Sequence, residues 1–192
     1  MSRSASRLEH LLGFLGIHGK RVHPVEAFLS GVGGCIAIAI VVLVCRHFVG
    51  AQGAALLVAS MGASAVLLFA LPHGPLSQPW AVIGGHGLSA VVGVASASMI
   101  ADPVTAGAVA VGVAIGVMQL LGCVHPPGGA TALSAVVGGP AVQALGLKYV
   151  FTPVLMNALL IVTVAVGFHG IPKMRRYPAY LAKPKARPHG DV

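Results

Sequence analysis

The chain has 192 residues, of which 56% are hydrophobic and only 8% are charged, and this balance excludes an ordinary soluble domain. The apolar residues come in blocks of about 20, the length that crosses a bilayer core of about 30 Å. One membrane domain accounts for them and leaves no room for a soluble catalytic domain. The net charge of +8 arises mainly near the two ends, so we interpret it as a topology signal and not as a nucleic-acid-binding surface.

We divide the chain into three parts. Residues 1–26 are a basic leader, residues 27–170 are the transmembrane domain, and residues 171–192 are a basic, proline-rich tail that is expected to be extended or disordered. Within the leader, four leucines have the spacing of a short amphipathic helix on the membrane surface. They are Leu8, Leu11, Leu12 and Leu15.

Six apolar segments are predicted within the transmembrane domain, and they define an all-α membrane protein. A polar loop from Pro72 to Pro79 separates the second segment from the third, and Asp102 precedes a break before the fourth. The fifth segment is only about half as long as a span. In chain order the segments cover residues 28–49, 54–71, 82–100, 104–122, 128–137 and 149–168.

An internal repeat relates the two halves of the domain. The sequence Gly-Ala-Ser-Ala-Val at 62–66 returns as Gly-Ala-Thr-Ala-Leu at 129–133, 67 residues later, and the same offset carries segment three onto segment six. Two halves of three spans have opposite orientations, as in many transporters. We therefore predict a 3+3 inverted repeat with interrupted or half helices at segments two and five. If those two segments are re-entrant, four spans remain, and both basic termini are cytoplasmic in either case.

The most informative stretch is residues 123–133, Cys-Val-His-Pro-Pro-Gly-Gly-Ala-Thr-Ala-Leu, which interrupts two strongly apolar segments. Lipid cannot hydrogen-bond the freed backbone groups, so such a break persists only where protein or a water-filled cavity satisfies them. Short or broken helices at this depth are typical of transport sites. The alternative is an ordinary Pro-Gly turn between two spans.

A helix that begins inside a membrane exposes unpaired N–H groups and the positive end of its dipole, which suits a small anion. We expect two such starts, near Gly62 and Gly129, to meet close to the midplane. Alternatively, the hydroxyls of Ser64 and Thr131 bond backbone carbonyls one turn back. The candidate anion-binding residues at the two breaks are Ser60, Gly62 and Ser64, and Pro127, Gly128, Gly129 and Thr131.

Four further polar side chains are candidate substrate-binding residues. His125 is either a gate, proton relay or anion donor, or a helix-end histidine bonded to a carbonyl. His86 lies near the start of segment three, at the membrane interface or within it. Gln119 and Asn157 are mid-span amides that serve equally well as links between helices or as ligands.

The pattern indicates neither an enzyme nor a metalloprotein. Paired carboxylates, a nucleophile elbow and zinc-ligand spacing are absent from the sequence, so no catalytic residue, metal or cofactor is predicted. The three cysteines are interpreted as small packing residues. Gly112 and Gly116 form a GxxxG pair that is compatible with a homodimer.

Three motifs resemble the signatures of the HPP family of integral membrane proteins. They are Val-His-Pro-Pro-Gly-Gly-Ala-Thr-Ala-Leu at 124–133, Met-Gly-Ala-Ser-Ala-Val-Leu-Leu-Phe at 61–69 and Gln-Pro-Trp-Ala-Val-Ile-Gly-Gly-His at 78–86. The family is described as multi-pass, often with four spans, and plastid members are implicated in nitrite transport. The resemblance therefore implies a multi-pass protein, expected in a bacterial inner membrane, that transports nitrite. Regulation through a CBS-domain extension is not expected.

Three functions remain open at this point. The first is a transporter or channel for a small inorganic anion, most of all nitrite. The second is a membrane scaffold or subunit that packs against a partner without transport, and the third is a channel for a small neutral solute. The internal repeat and the break at membrane depth favour the first, because a scaffold needs neither.

Overall fold

The computed structural model describes residues 10, 13–16, 22–170 and 176–182, and the regular structure in those ranges is helical. The predicted amphipathic leader helix lies largely outside them. Short 3-10 turns occur at Pro75–Ser77 and Ala179–Leu181. A kinked stretch, Val150–Leu155, in which Thr152 has an extended backbone conformation, leads into the last helix. The α-helices are α1 Pro24–Ala70, α2 Pro79–Met99, α3 Pro103–Leu120, α4 Pro127–Val137, α5 Pro140–Gln143 and α6 Met156–His169.

Helix α1 folds back on itself. A Cβ atom added at Gly33 would lie 2.6 Å from the Phe69 ring, whereas 36 residues of straight helix would separate these positions by about 54 Å. The chain therefore reverses within α1. We call Pro24–Phe48 the first arm and Leu57–Ala70 the second arm.

Four helical segments in the described ranges are long and apolar enough to cross a membrane, fewer than the six that we predicted. The second arm and α4 are apolar but shorter, and each lies between two of the long segments. The four candidate spans are Pro24–Phe48, Pro79–Met99, Pro103–Leu120 and Val150–His169.

The predicted helix start near Gly62 is wrong. Gly62 lies inside the helical second arm, and the backbone stays helical through it. A single glycine costs a helix only about 1 kcal/mol relative to alanine, and no proline is nearby to remove a hydrogen bond. The predicted start at Pro127 is correct, because proline suits the first helical position, where its missing N–H needs no partner.

Prolines define most of the helix boundaries. Among the described residues, five of the six helices α1 to α6 begin with a proline, which fixes φ close to its helical value. In α1 and α3 the preceding residue adds a side-chain cap: His23 Nδ1 accepts from Val25 N, and Asp102 Oδ2 accepts from Thr105 N.

The third segment of each half packs on the other half. Helix α2 contacts α3 and α4, and α6 contacts α1. Glycines permit the closest of these contacts: a Cβ at Gly93 would lie 2.5 Å from the Ala132 carbonyl oxygen, and one at Gly128 would lie 2.9 Å from the Gly85 carbonyl oxygen. Helices α2 and α4 are therefore held together at backbone contact distance.

Part of the tail is ordered against the protein, which corrects the prediction that it is extended or disordered. Tyr177 is only 2% exposed and donates to the Ser77 carbonyl at 2.9 Å. The amide of Ala179 donates to Gln78 Oε1 at 3.0 Å. Burial raises the pKa of the Tyr177 phenol. Residues 176–182 thus cover the loop between α1 and α2.

Candidate functional site

Five polar side chains meet in the interior, and we call them the polar network. Each is no more than 1% exposed. Ser64 Oγ lies 2.8 Å from Nε2 of both His86 and His125. His86 Nδ1 lies 2.7 Å from Thr131 Oγ1, which in turn lies 2.8 Å from Ser60 Oγ. The network joins the second arm, α2, α4 and the connector that precedes α4.

Backbone carbonyls close both ends of the polar network. His125 Nδ1 lies 2.7 Å from the Leu76 carbonyl oxygen, and Ser60 Oγ donates to the Pro127 carbonyl oxygen at 2.7 Å. The rings of His86 and His125 have centroids 4.9 Å apart at an interplanar angle of 65°. Every side-chain nitrogen and hydroxyl oxygen of the network therefore has a partner within hydrogen-bonding distance.

Local structure explains why these side chains meet. Ser60 and Ser64 are one helical turn apart and so lie on one face of the second arm. Pro126 and Pro127 end the irregular connector and begin α4, which leaves His125 just outside the helix. A Cβ at position 85 would lie 2.6 Å from His125 Cβ. Glycine at that position is what lets the His125 ring reach Ser64.

The polar network lies about halfway through the domain. Ala65, the neighbour of Ser64, packs in one buried cluster with Ala37. Ala37 is near the middle of the 25-residue first arm. Because the arms run antiparallel from the contact between Gly33 and Phe69, Ser64 stands level with the middle of a helix that is long enough to span a membrane.

The glycines do not offer free donors to a ligand, contrary to our expectation. The N–H of Gly128 donates to the His125 carbonyl at 2.8 Å, and that of Gly129 donates to the Pro126 carbonyl at 3.0 Å. Gly128 is buried against α2, where a Cβ would meet Ser89 Oγ at 2.8 Å. Nothing lies within 4 Å of a Cβ at Gly62. The absence of a side chain at Gly128 serves helix packing.

The two amides do not join the polar network. Gln119 lies on the exposed surface of α3 near its C-terminal end. Asn157 is buried in α6, and its Nδ2 donates to Cys45 Sγ at 3.0 Å. Asn157 Oδ1 has no hydrogen-bond partner among the described residues. Of the eleven predicted residues, the structure brings together Ser60, Ser64, His86, His125, Pro127 and Thr131.

Sequence reasoning missed two groups at the site. The Leu76 carbonyl carries no sequence signal, because every residue has a carbonyl and only the fold selects one. Tyr149 is fully buried, and its hydroxyl donates to the Thr131 carbonyl at 2.9 Å. A tyrosine at the border of an apolar segment is usually interpreted as an anchor at the membrane interface, so its position in the sequence does not predict this contact.

The chemistry of the polar network is that of hydroxyls and imidazoles. Such groups donate or accept hydrogen bonds and carry protons. Among the described residues, no three histidine, cysteine or carboxylate side chains are grouped so that they could hold a metal ion. The arrangement suits recognition of a small polar solute or movement of a proton.

The helices and their buried polar centre define the class, a multi-helix integral membrane protein. The HPP transmembrane region matches residues 19–178, and the chain belongs to this family. A transmembrane protein of Dictyostelium discoideum is 40% identical over 147 residues, which cover 73% of this chain and 51% of the relative. A second transmembrane protein from the same organism is 34% identical over 171 residues, which cover 84% of this chain and 55% of the relative.

The chain spans about half the length of these two relatives. No solved structure matches it. The resemblance seen in the three sequence motifs is thus confirmed at the level of the family.

Proposed function

We propose that this protein is a transporter or channel for a small inorganic anion, with nitrite as the first candidate. The supporting observation is the polar network, which is fully buried and halfway through the membrane domain. Polar and ionisable groups at this depth are costly and are as a rule functional. A scaffold that only packs against a partner has no need of five such groups in one place.

The anion would bind at the hydroxyls of Ser64 and Thr131 and the ring nitrogens of His86 and His125. This places the site beside α4 and not at two converging helix starts, because the Gly128 and Gly129 amides are bonded within their own turn. Hydroxyls and imidazoles carry no permanent charge, which favours the weak binding that rapid release requires.

Access from both sides requires the protein to open. A cavity of about 330 Å³ lies at the C-terminal end of α2 and is lined by residues that include Ser98, Gln143 and Ala135, one turn beyond Thr131. On the other side, the loop that carries Leu76 covers His125, and the docked tail covers that loop. We propose the cavity as one vestibule and the covered loop as the opposite entrance.

The packing supports the proposed 3+3 inverted repeat. Each half has the order long, short, long, and the third segment of each packs on the other half. Phe168, near the end of α6, lies against Gly33, near the start of α1. We infer that both ends leave the membrane on the same side, which the basic termini make cytoplasmic. Reporter fusions at Ser2 and Val192 test this.

Two further expectations stay proposals. Gly112 and Gly116 have nothing within 4 Å of an added Cβ, so this face of α3 is open to a second copy in the bilayer. A neutral solute is the second candidate substrate, since hydroxyls and neutral imidazoles carry no net charge. We propose neither catalysis nor a cofactor.

Uptake by purified protein in liposomes tests the proposal. Nitrite and nitrate are offered separately, with protein-free liposomes as the blank for diffusion of nitrous acid. Thr131→Val should lower nitrite uptake about tenfold, the loss expected for one hydrogen bond to an anion. The matched control is Thr163→Val, because Thr163 is exposed on α6 and bonds only the Leu159 carbonyl. Equal uptake by both variants, or uptake of urea and not of anions, would contradict the anion site.

A further inference from the structure

The polar network is a chain of hydrogen bonds with an acceptor at each end. It runs from the Leu76 carbonyl through His125, Ser64, His86, Thr131 and Ser60 to the Pro127 carbonyl, in six contacts of 2.7–2.8 Å. A carbonyl oxygen only accepts. Both end contacts must therefore take their proton from inside the chain.

The hydrogen-bond chain has one proton fewer than it has contacts. When both imidazoles are neutral, the two rings and three hydroxyls supply five protons for these six contacts. The longer contacts from Ser64 to the Ser60 carbonyl at 3.2 Å and from Thr131 to the Pro127 carbonyl at 3.4 Å compete for the same hydroxyl protons. One additional proton completes every contact.

The additional proton has two alternative positions. Because the ends are fixed, Ser60 donates to the Pro127 carbonyl, Thr131 to Ser60, and His86 Nδ1 to Thr131. Ser64 then has one hydrogen for two ring nitrogens. It donates to one histidine and accepts from the other, which is the imidazolium.

Ser64 therefore has the geometry to relay the proton between His125 and His86. His125 Nε2–H passes its proton to Ser64 Oγ while the Ser64 hydroxyl proton goes to His86 Nε2, so His125 becomes neutral and His86 becomes the cation. Both N···O distances are 2.8 Å. No bond between heavy atoms changes, and the step needs no other reactant.

The described residues of the neighbouring helices supply no negative charge to balance the imidazolium. Two other ionisable side chains lie near the polar network: Cys123, which lies against Gly84 of α2, and Tyr149, which bonds the Thr131 carbonyl. The described residues of the second arm, α2, α3 and α4 include no carboxylate, lysine or arginine. A buried cation without a counter-ion is strongly disfavoured, so the proton is stable there only when an anion accompanies it.

We propose that the polar network takes up one proton with each anion, and that Ser64 passes this proton between His125 and His86. The anion half of this inference rests on the proposed function. The proton half rests on the hydrogen-bond chain alone. Transport is then electroneutral, and an inward proton gradient drives accumulation of the anion.

Ring-nitrogen NMR of the full chain in lipid nanodiscs tests the proton half directly. ¹⁵N-labelled histidine distinguishes imidazolium from neutral rings, and His86→Gln and His125→Gln identify the two signals. Adding nitrite near neutral pH should convert the pair to one shared imidazolium, with the charge divided between the two rings. In Ser64→Ala the sharing should disappear, and in Ser64→Thr, which keeps the hydroxyl, it should return.

A second measurement follows lumenal pH during nitrite uptake into liposomes that hold a pH dye. Wild-type protein and His47→Gln, a change at an exposed histidine on the first arm, should import one proton per nitrite beyond the protein-free blank. In His125→Gln and Ser64→Ala, the rate of this proton-coupled uptake should fall about tenfold or more.

The two failures are distinguishable. Nitrite transport with both rings neutral, or without proton entry, overturns the coupling and leaves the transport proposal intact. Rings that share one proton at acid pH in a protein that moves neither nitrite nor nitrate overturn the transport proposal and support the proton relay.

Discussion

The second arm of α1 and helix α4 are the apolar helices of 10–17 residues in the described part of the domain, and they carry the same repeated sequence unit in different local structures. The hydroxyls of Ser64 and Thr131, at equivalent positions of the repeat, both enter the polar network. The approaches differ: helical backbone leads into the second arm, whereas an irregular connector that carries His125 precedes α4. The repeat supplies the hydroxyls, and the break supplies the histidine.

The glycines of the two helices extend the comparison. Gly62 and Gly129 are equivalent in the repeat, and neither is tightly packed, because an added Cβ meets nothing closer than 3.8 Å. Gly128 has the buried Met61 as its equivalent and is packed tightly against α2. Gly129, which recurs in the repeat, is therefore not the glycine that packing requires, which is Gly128. Substituting each glycine tests this difference.

The largest effect on stability is expected from Gly128→Ala. Its Cβ would lie 2.8–2.9 Å from Ser89 Oγ and the Gly85 carbonyl, and such overpacking costs about 1–3 kcal/mol. Gly129→Ala is the matched control, since its Cβ would meet only Val111 Cγ1 at 3.8 Å. Denaturant unfolding in detergent micelles measures both. Equal losses in the two variants would show that α4 does not pack on α2 as described.

An intermediate effect is expected where the docked tail meets the loop before α2. Tyr177→Phe removes the 2.9 Å hydrogen bond to the Ser77 carbonyl and should cost about 1 kcal/mol. Tyr180→Phe should cost nothing measurable, because that ring is 94% exposed. Thermal unfolding compares them. If Tyr180→Phe destabilises as much as Tyr177→Phe, the tail is docked differently.

The smallest effect is expected at the start of α3, which like α1 begins with a capping residue and a proline. Bonds from Thr105 lower the pKa of Asp102 below its ordinary value of 3.8. The carboxylate therefore stabilises the fold above about pH 4, and this contribution is lost as the pH falls through the lowered pKa. The melting temperature of Asp102→Asn should be slightly below that of the wild type at pH 7 and equal to it at acid pH. A difference that persists at acid pH would contradict this assignment.

Much of the secondary structure could be predicted because prolines mark it. The predicted third, fourth and fifth segments begin within three residues of the observed starts at Pro79, Pro103 and Pro127. That the helix continues through Gly62 could not be predicted, because glycine only weakens a helix and the neighbouring residues decide whether it ends. The docking of Tyr177 was also hidden, since basic composition says nothing about a contact 100 residues away in the chain.

The sequence by itself determined the membrane class, the family and the residue types at the centre, because hydrophobic length, proline placement and the His-Pro-Pro motif are local properties. Only the tertiary structure decided which polar groups share a hydrogen-bond chain. Ser64 and His125 are 61 residues apart, and Ser60 and Thr131 are 71. Their meeting depends on the reversal within α1 and on glycine contacts between α2 and α4. A chain of six contacts has a definite proton count only after every partner, including the Leu76 carbonyl, is in place.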